Sequence, residues 1–282
     1  LGSRLGLRFF PMGASEPNIG VEDGAEEILK AIAPTLLDTQ RDMQKAVVEE
    51  KFSDPETVAE HSYLTAVLDL YSDATQRLLE AWPKNKRLVS LGGDHSVAYI
   101  SLSAVLQRFG AQNVCVLMFD SHGDLHSPKS SHTGNFHGMW LRTFFEGFSE
   151  ERLGNELLQP EQLRFVGNLL LEDAEQEFIT EQKIPIYGAA ELSQSVVDEI
   201  VSWTQTYAHL HVSFDIDVFV RALAPATGTP NENGLTQEEV FSVLKEIKKH
   251  PSISLDIVEF NPKKEGAGES LQLIKKVFEN FS

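Results

Sequence analysis

Asp120, His122 and Asp124 alternate within the stretch Val114–His137, VCVLMFDSHGDLHSPKSSHTGNFH. In an extended chain, residues two apart point the same way and stand about 6.6–7 Å apart. Asp-x-His-x-Asp therefore aims two carboxylates and one imidazole at one spot. Hard oxygen donors with a single nitrogen suit a divalent metal such as manganese or zinc. A polar loop that merely follows a strand has the same pattern, so the motif by itself leaves both readings open.

The element that would position these groups precedes them. Val114 to Phe119 is an unbroken apolar run, short and β-branched enough to read as a strand buried on both faces. Open α/β sheets place their sites off the carboxyl ends of such strands. Three other expected strands end in the same way. Arg87–Leu91 runs into His95, His209–Phe214 into Asp215 and Asp217, and Ile253–Val258 into Glu259. In a parallel sheet all these ends lie on one edge. Six donors meeting there would hold two metal ions, which in two-metal enzymes sit roughly 3.5–4 Å apart.

Helical patterns alternate with these strands. Apolar spacing predicts helices over 25–37, from Ser53-Asp54-Pro55 to about Trp82, over 97–109, near 173–182, over 193–208 and over about 268–281. Asp38–Glu50 is helical in composition, and Gly138–Gly147 reads as a short aromatic helix. Thr236 with Glu239 forms a capping box that opens a helix to about His250. Leu5–Met12, Leu163–Val166 and Ile184–Tyr187 read as further short strands. The alternation implies an α/β fold, one three-layer αβα domain over 1–282 with a mostly parallel sheet.

Composition narrows the function class. The 282 residues carry 42 acidic and 24 basic side chains, a formal charge of −18. Such a chain is repelled by nucleic acid and by anionic membranes, and it attracts cations. The single cysteine, Cys115, lies inside the apolar strand and reads as a buried thiol rather than a nucleophile. No apolar run approaches the ~18 residues of a transmembrane helix, and Leu1–Phe10 lacks a cleavable-signal pattern. A cytoplasmic enzyme is the expectation.

The strand-end motifs carry a family resemblance. GGDHS at 92–96, DSHGD at 120–124 and SFDID at 213–217 resemble the three metal motifs of the ureohydrolases, which include arginase, agmatinase and formiminoglutamase. HTGNFHGM at 132–139, PATGTP at 225–230, VEFNP at 258–262 and PNIGVEDG at 17–24 resemble further motifs of that family. The resemblance is nearest to arginase in loop spacing. It implies two Mn²⁺ ions per chain. One would be held by His95, Asp120, Asp124 and Asp215, the other by Asp120, His122, Asp215 and Asp217, with Asp120 and Asp215 bridging. It casts Asp124 as a stabiliser of the tetrahedral intermediate, His137 as the proton shuttle and Glu259 as the partner of the substrate guanidinium. It also implies a homo-oligomer, a trimer or hexamer.

The implied chemistry is hydrolysis of a guanidino C–N bond, most like conversion of L-arginine to L-ornithine and urea. Agmatine, another guanidino acid or formiminoglutamate are the alternative substrates, and a metal-binding regulator without catalysis is the alternative class. Departures bear on the substrate. Ser121 replaces the usual Ala of the second motif, and Val220-Arg221 replaces an Asp-Pro. His126 stands where arginases carry an Asn that contacts the α-carboxylate, beside Thr133 and Asn135. Glu172 or Asp173 is expected to meet the α-amino group.

Overall fold

The computed structural model describes residues 18–36, 60–146 and 157–281. The strand expected at Leu5–Met12, the helical stretch Asp38–Glu50 and the helix start at Ser53-Asp54-Pro55 lie outside them. Six strands form one sheet: β1 (Val89–Leu91), β2 (Val114–Phe119), β3 (Leu163–Val166), β4 (Ile186–Tyr187), β5 (His209–Asp215) and β6 (Ile253–Val258). Their order is β1-β6-β5-β2-β3-β4, and every described pairing is parallel. Among the described residues, seven α-helices accompany them: α1 (Gly24–Leu36), α2 (Glu60–Ala81), α3 (Ala98–Phe109), α4 (Asp173–Gln182), α5 (Gln194–Thr204), α6 (Gln237–Ile247) and α7 (Ala267–Phe281).

Strand alternation creates two cores, one on each face of the sheet. Cys115, Leu117 and Phe119 of β2 join Leu210, Val212 and Phe214 of β5 under α1, α5, α6 and α7. Val114, Val116 and Met118 face the other way and join Leu163 and Phe165 of β3 under α2, α3 and α4. This is why β2 is apolar at every position: it is wetted on neither face. The architecture is the expected three-layer α/β fold.

On the second face, β5 and β6 break the apolar pattern with a buried polar file. His209 Nδ1 and Nε2 lie 2.8 and 2.9 Å from the Ser252 and Ser254 hydroxyls. His211 Nδ1 lies 2.8 Å from the Ser254 hydroxyl, and its Nε2 lies 2.9 Å from Asp256 Oδ2. Phe109 of α3 stacks on His209 with ring centroids 3.9 Å apart. Burial, reinforced by the neighbouring His211 and His250, pushes the His209 pKa down to about 3.

Several expected elements differ in extent: β1 begins at Val89 rather than Arg87, and α6 ends at Ile247 rather than near His250. Of the aromatic helix expected over 138–147, the described residues form a 3₁₀ turn at Leu141–Phe144, preceded by another at Phe136–Gly138. Trp140, Leu141 and Phe144 are all fully buried, and the Thr143 hydroxyl donates to the Trp140 carbonyl at 2.5 Å. A longer α-helix would carry some of these side chains out of the core. The helix expected to reach Ala208 stops at Thr204, where His250 Nε2 lies 3.1 and 3.3 Å from the carbonyls of Thr204 and Tyr207. Of the strand expected over 184–187, only Ile186–Tyr187 pairs. Among the described residues, no helix is long and apolar enough to cross a membrane.

Candidate metal centre

One local device shapes all three strand-end motifs. Asp94 Oδ1 accepts the Ser96 N–H at 3.1 Å, Asp120 Oδ1 accepts the His122 N–H at 2.7 Å, and Asp215 Oδ1 accepts the Asp217 N–H at 2.8 Å. Each Asp thus folds its own chain into a turn as it leaves the sheet. In the second and third turns the other carboxylate oxygen stays free to face the site. Because β1, β6, β5 and β2 are consecutive neighbours, the three turns and the end of β6 meet over one edge.

There the ionisable groups converge. His95 Nδ1 lies 3.0 Å from Asp120 Oδ2, 3.0 Å from Asp124 Oδ2 and 3.4 Å from Asp215 Oδ2. His122 Nδ1 lies 3.0 Å from Asp217 Oδ2 and 3.6 Å from Asp120 Oδ1. Two ligand-sized clusters result, His95/Asp120/Asp215 and Asp120/His122/Asp217, with donor atoms within 4.8 Å of one another. Asp120 belongs to both. Asp215 falls in the first, and Asp124 Oδ2 approaches the same His95 Nδ1 while accepting from Trp140 Nε1 at 2.8 Å.

The electrostatics are those of an incomplete charge set. Burial opposes ionisation of Asp120, but His122 and His95 hold its pKa below the usual carboxylate range. Burial, with the charges of Asp217 and Asp120, pushes Asp215 well up, and burial raises Asp217 despite His122. In the imidazoles, burial is outweighed by carboxylates. Asp124 raises His95, and Asp217 raises His122. His95 Nδ1 and Asp120 Oδ2 are buried, 3.0 Å apart, and neither has a hydrogen-bond geometry with any partner. They point at a shared space rather than at each other. A divalent cation would supply both the missing partner and the missing positive charge, so these residues fit a metal.

The remaining expected residues lie around this centre. Glu259 takes a left-handed backbone at φ 66°. Its Oε1 accepts the His95 N–H at 2.9 Å, and its Oε2 accepts the Asn18 side-chain amide at 3.0 Å. Burial first and the charge of Asp94 second push Glu259 up to about 8. His137 is exposed on the turn Phe136–Gly138, which packs on the His95 turn. Asn135 is half-buried, and Thr133 is exposed with its hydroxyl accepting the Asn135 N–H at 3.2 Å. His126 Nδ1 lies 3.1 Å from the Ser130 hydroxyl, and its Nε2 lies 3.5 and 3.7 Å from Glu172 Oε2 and Glu175 Oε2. His132 also reaches Glu172, at 3.4 Å. Asp173 is exposed at the first residue of α4, so the carboxylates facing His126 are Glu172 and Glu175.

Several contributors escaped sequence reasoning. Ser121, a departure from the usual motif, ties the second motif to the third. Its N–H donates to Asp217 Oδ1 at 3.0 Å, its hydroxyl to the Asp217 carbonyl at 2.7 Å, and it accepts from the Asn231 side chain at 2.8 Å. The Ser213 hydroxyl lies 2.8 Å from His95 Nε2, fixing the ring that offers Nδ1 to the carboxylates. Trp140 and Glu175 carried no local signal of a site role, because their partners are distant in the chain.

Comparison with known proteins agrees with this geometry. The family model described as the arginase family matches residues 5–281. An arginase of Staphylococcus aureus (strain MRSA252) is 34% identical over 203 residues, covering 67% of each chain. An arginase of Entamoeba histolytica is 27% identical over 267 residues, covering 90% of this chain and 89% of its own. The crystal structure of the Entamoeba histolytica arginase in complex with L-ornithine superposes with a TM-score of 0.82 at 26% identity, over 94% of this chain and 93% of that one. A formimidoylglutamase of Bacillus subtilis, at 17% identity and a TM-score of 0.74, shares the fold over 99% of this chain and 84% of its own. With a family match running nearly end to end and its metal motifs gathered at one sheet edge, this chain belongs to the arginase family and is a hydrolase acting on amidines.

Proposed function

We propose that the protein is an arginase-type hydrolase that cleaves L-arginine to L-ornithine and urea with two manganese ions. The observation that carries this reading is the pair of clusters sharing Asp120, with the Glu259 carboxylate beside them, hydrogen-bonded to the His95 N–H. His95, Asp120, Asp124 and Asp215 would hold one ion, and Asp120, His122, Asp215 and Asp217 the other. When bound, such ions lower the pKa of water from 15.7 to about 7 and supply Lewis-acid charge.

The protein's own groups do the rest. A guanidinium stays protonated and is a poor electrophile, so it must be oriented as well as bound. Glu259 is held through both oxygens by His95 and Asn18, and its remaining lone pairs suit a planar cation. Asp124, anchored by Trp140, would stabilise the tetrahedral intermediate. Breaking the C–N bond leaves an amine that needs a proton, and exposed His137 at the mouth is the group to deliver it. At the outer end, Thr133, Asn135 and His126 would receive the α-carboxylate, and Glu172, with Asp173 nearby, the α-amino group. Assembly as a trimer or hexamer belongs to the same reading, as does a cytoplasmic setting.

A second reading is agmatine hydrolysis. It is favoured by one observation: His126 already faces the exposed carboxylate of Glu172, so the outer end of the site offers a negative charge to a substrate that lacks a carboxylate. Urea release from a panel of guanidino compounds, by metal-stripped protein with and without added manganese, tests both. Arginine turnover that needs manganese is expected. Turnover of agmatine alone would replace the first reading with the second, and full activity in the presence of chelator would end both.

A further inference from the structure

Asp124 is one of three non-glycine residues among those described with a left-handed backbone, φ 53°. Asp tolerates that region better than most residues with a Cβ, but at a cost that its surroundings offset. The side chain is held by Trp140. The backbone is held by something else. The N–H of the next residue, Leu125, donates to Glu175 Oε1 at 3.1 Å. Glu175 lies 50 residues away on the first turn of α4, is 4% exposed, and spends its other oxygen on the Glu172 N–H at 3.2 Å. Gly123, the residue before Asp124, packs flat against the same carboxylate. A Cβ there would stand 2.8 Å from Glu175 Oε1 and 3.0 Å from Leu171 Cδ2.

We infer that Glu175 is a positioning residue for the metal centre: its buried carboxylate clamps the Gly123–Leu125 turn to α4 and so sets where Asp124 points. The inference rests on the metal-dependent reading above. The two N–H groups that Glu175 accepts come from Leu125, one residue beyond Asp124, and from Glu172, which faces His126 at the mouth. One buried side chain thus ties the inner carboxylate to the outer rim. Neither bond is available to a shorter or apolar side chain. Gln retains one acceptor and turns an N–H toward the other donor, so it keeps half of the clamp.

The test uses Glu175→Gln and Glu175→Ala in the full chain. Manganese affinity is measured by competition with a chelating dye, alongside kcat, KM and exchange of the Leu125 amide. Outer-shell partners of metal ligands typically contribute about 10–100-fold in metal affinity or activity. Manganese affinity and kcat are expected to fall by about that factor in Glu175→Ala and by less in Glu175→Gln, with KM changing less than about threefold. The Leu125 amide is expected to exchange faster in both. A raised KM with unchanged metal affinity would make Glu175 a substrate contact and overturn the inference. So would a lowered melting temperature with affinity, kcat and Leu125 exchange unchanged. If Glu175→Ala does not fold, Glu175→Gln and Gly123→Ala, which presses on the same carboxylate, carry the comparison. Failure of the wild-type chain to bind manganese would defeat the metal reading, whereas Leu125 exchange reads the clamp without any metal.

Discussion

His209 should make the fold acid-sensitive in a defined window. The ring is 1% exposed, stacked on Phe109 and placed between two serine hydroxyls, with a pKa pushed down to about 3. In the unfolded chain a histidine titrates near 6.5. The folded pKa is therefore the lower one. Its contribution to stability is fully present above about pH 6.5 and is lost as pH falls toward 3, because only the unfolded state takes up the proton. The loss approaches about 1.4 kcal/mol per pH unit and integrates to about 2 kcal/mol between pH 8 and pH 5. His209→Gln keeps an amide between the serines but cannot titrate. Urea unfolding of both metal-free proteins at pH 8, 6.5 and 5 gives the comparison, in which proton uptake by the metal ligands is common and cancels. Wild type is expected to lose about 2 kcal/mol more than the variant over that range. A wild-type-minus-variant difference that does not change with pH would refute the argument.

Three further outcomes follow from particular positions. A Cβ at Gly167 would stand 1.8 Å from the Asp120 backbone carbonyl, which no rotamer relieves. Gly167→Ala should cost about 3 kcal/mol or more in urea unfolding, at the top of the overpacking range. Gly138→Ala, where the Cβ meets nothing within 4 Å, should be nearly neutral. His126→Asn should improve or preserve arginine turnover chiefly through KM, by tenfold or more if a charge-assisted bond of roughly 1.5–3 kcal/mol is involved. Agmatine should be nearly indifferent to it, and equal shifts for both substrates would remove His126 from substrate recognition.

What the sequence determined by itself was whatever depends on near neighbours. The apolar run Val114–Phe119 became β2 with those bounds, and Leu163–Val166 and Ile253–Val258 became β3 and β6. Thr236 and Glu239 cap each other as their spacing requires. Parallel strands share an edge, so His95, Asp120, Asp217 and Glu259, past the ends of four strands, read as parts of one site from the sequence alone. Tertiary structure decided what depends on which strands lie side by side. β6 inserts between β1 and β5, and β5 lies against β2, an order that periodicity does not encode. That order brings Asp217 to Ser121 across 96 residues and Glu175 to Leu125 across 50. Burying Trp140, Leu141 and Phe144 also left a 3₁₀ turn at Leu141–Phe144 where the sequence reads as a helix. The residues of the two clusters were legible because their chemistry sits in their own motifs. The groups that hold those residues still were not, because a buried hydrogen bond belongs to a pair and only the fold selects the partner.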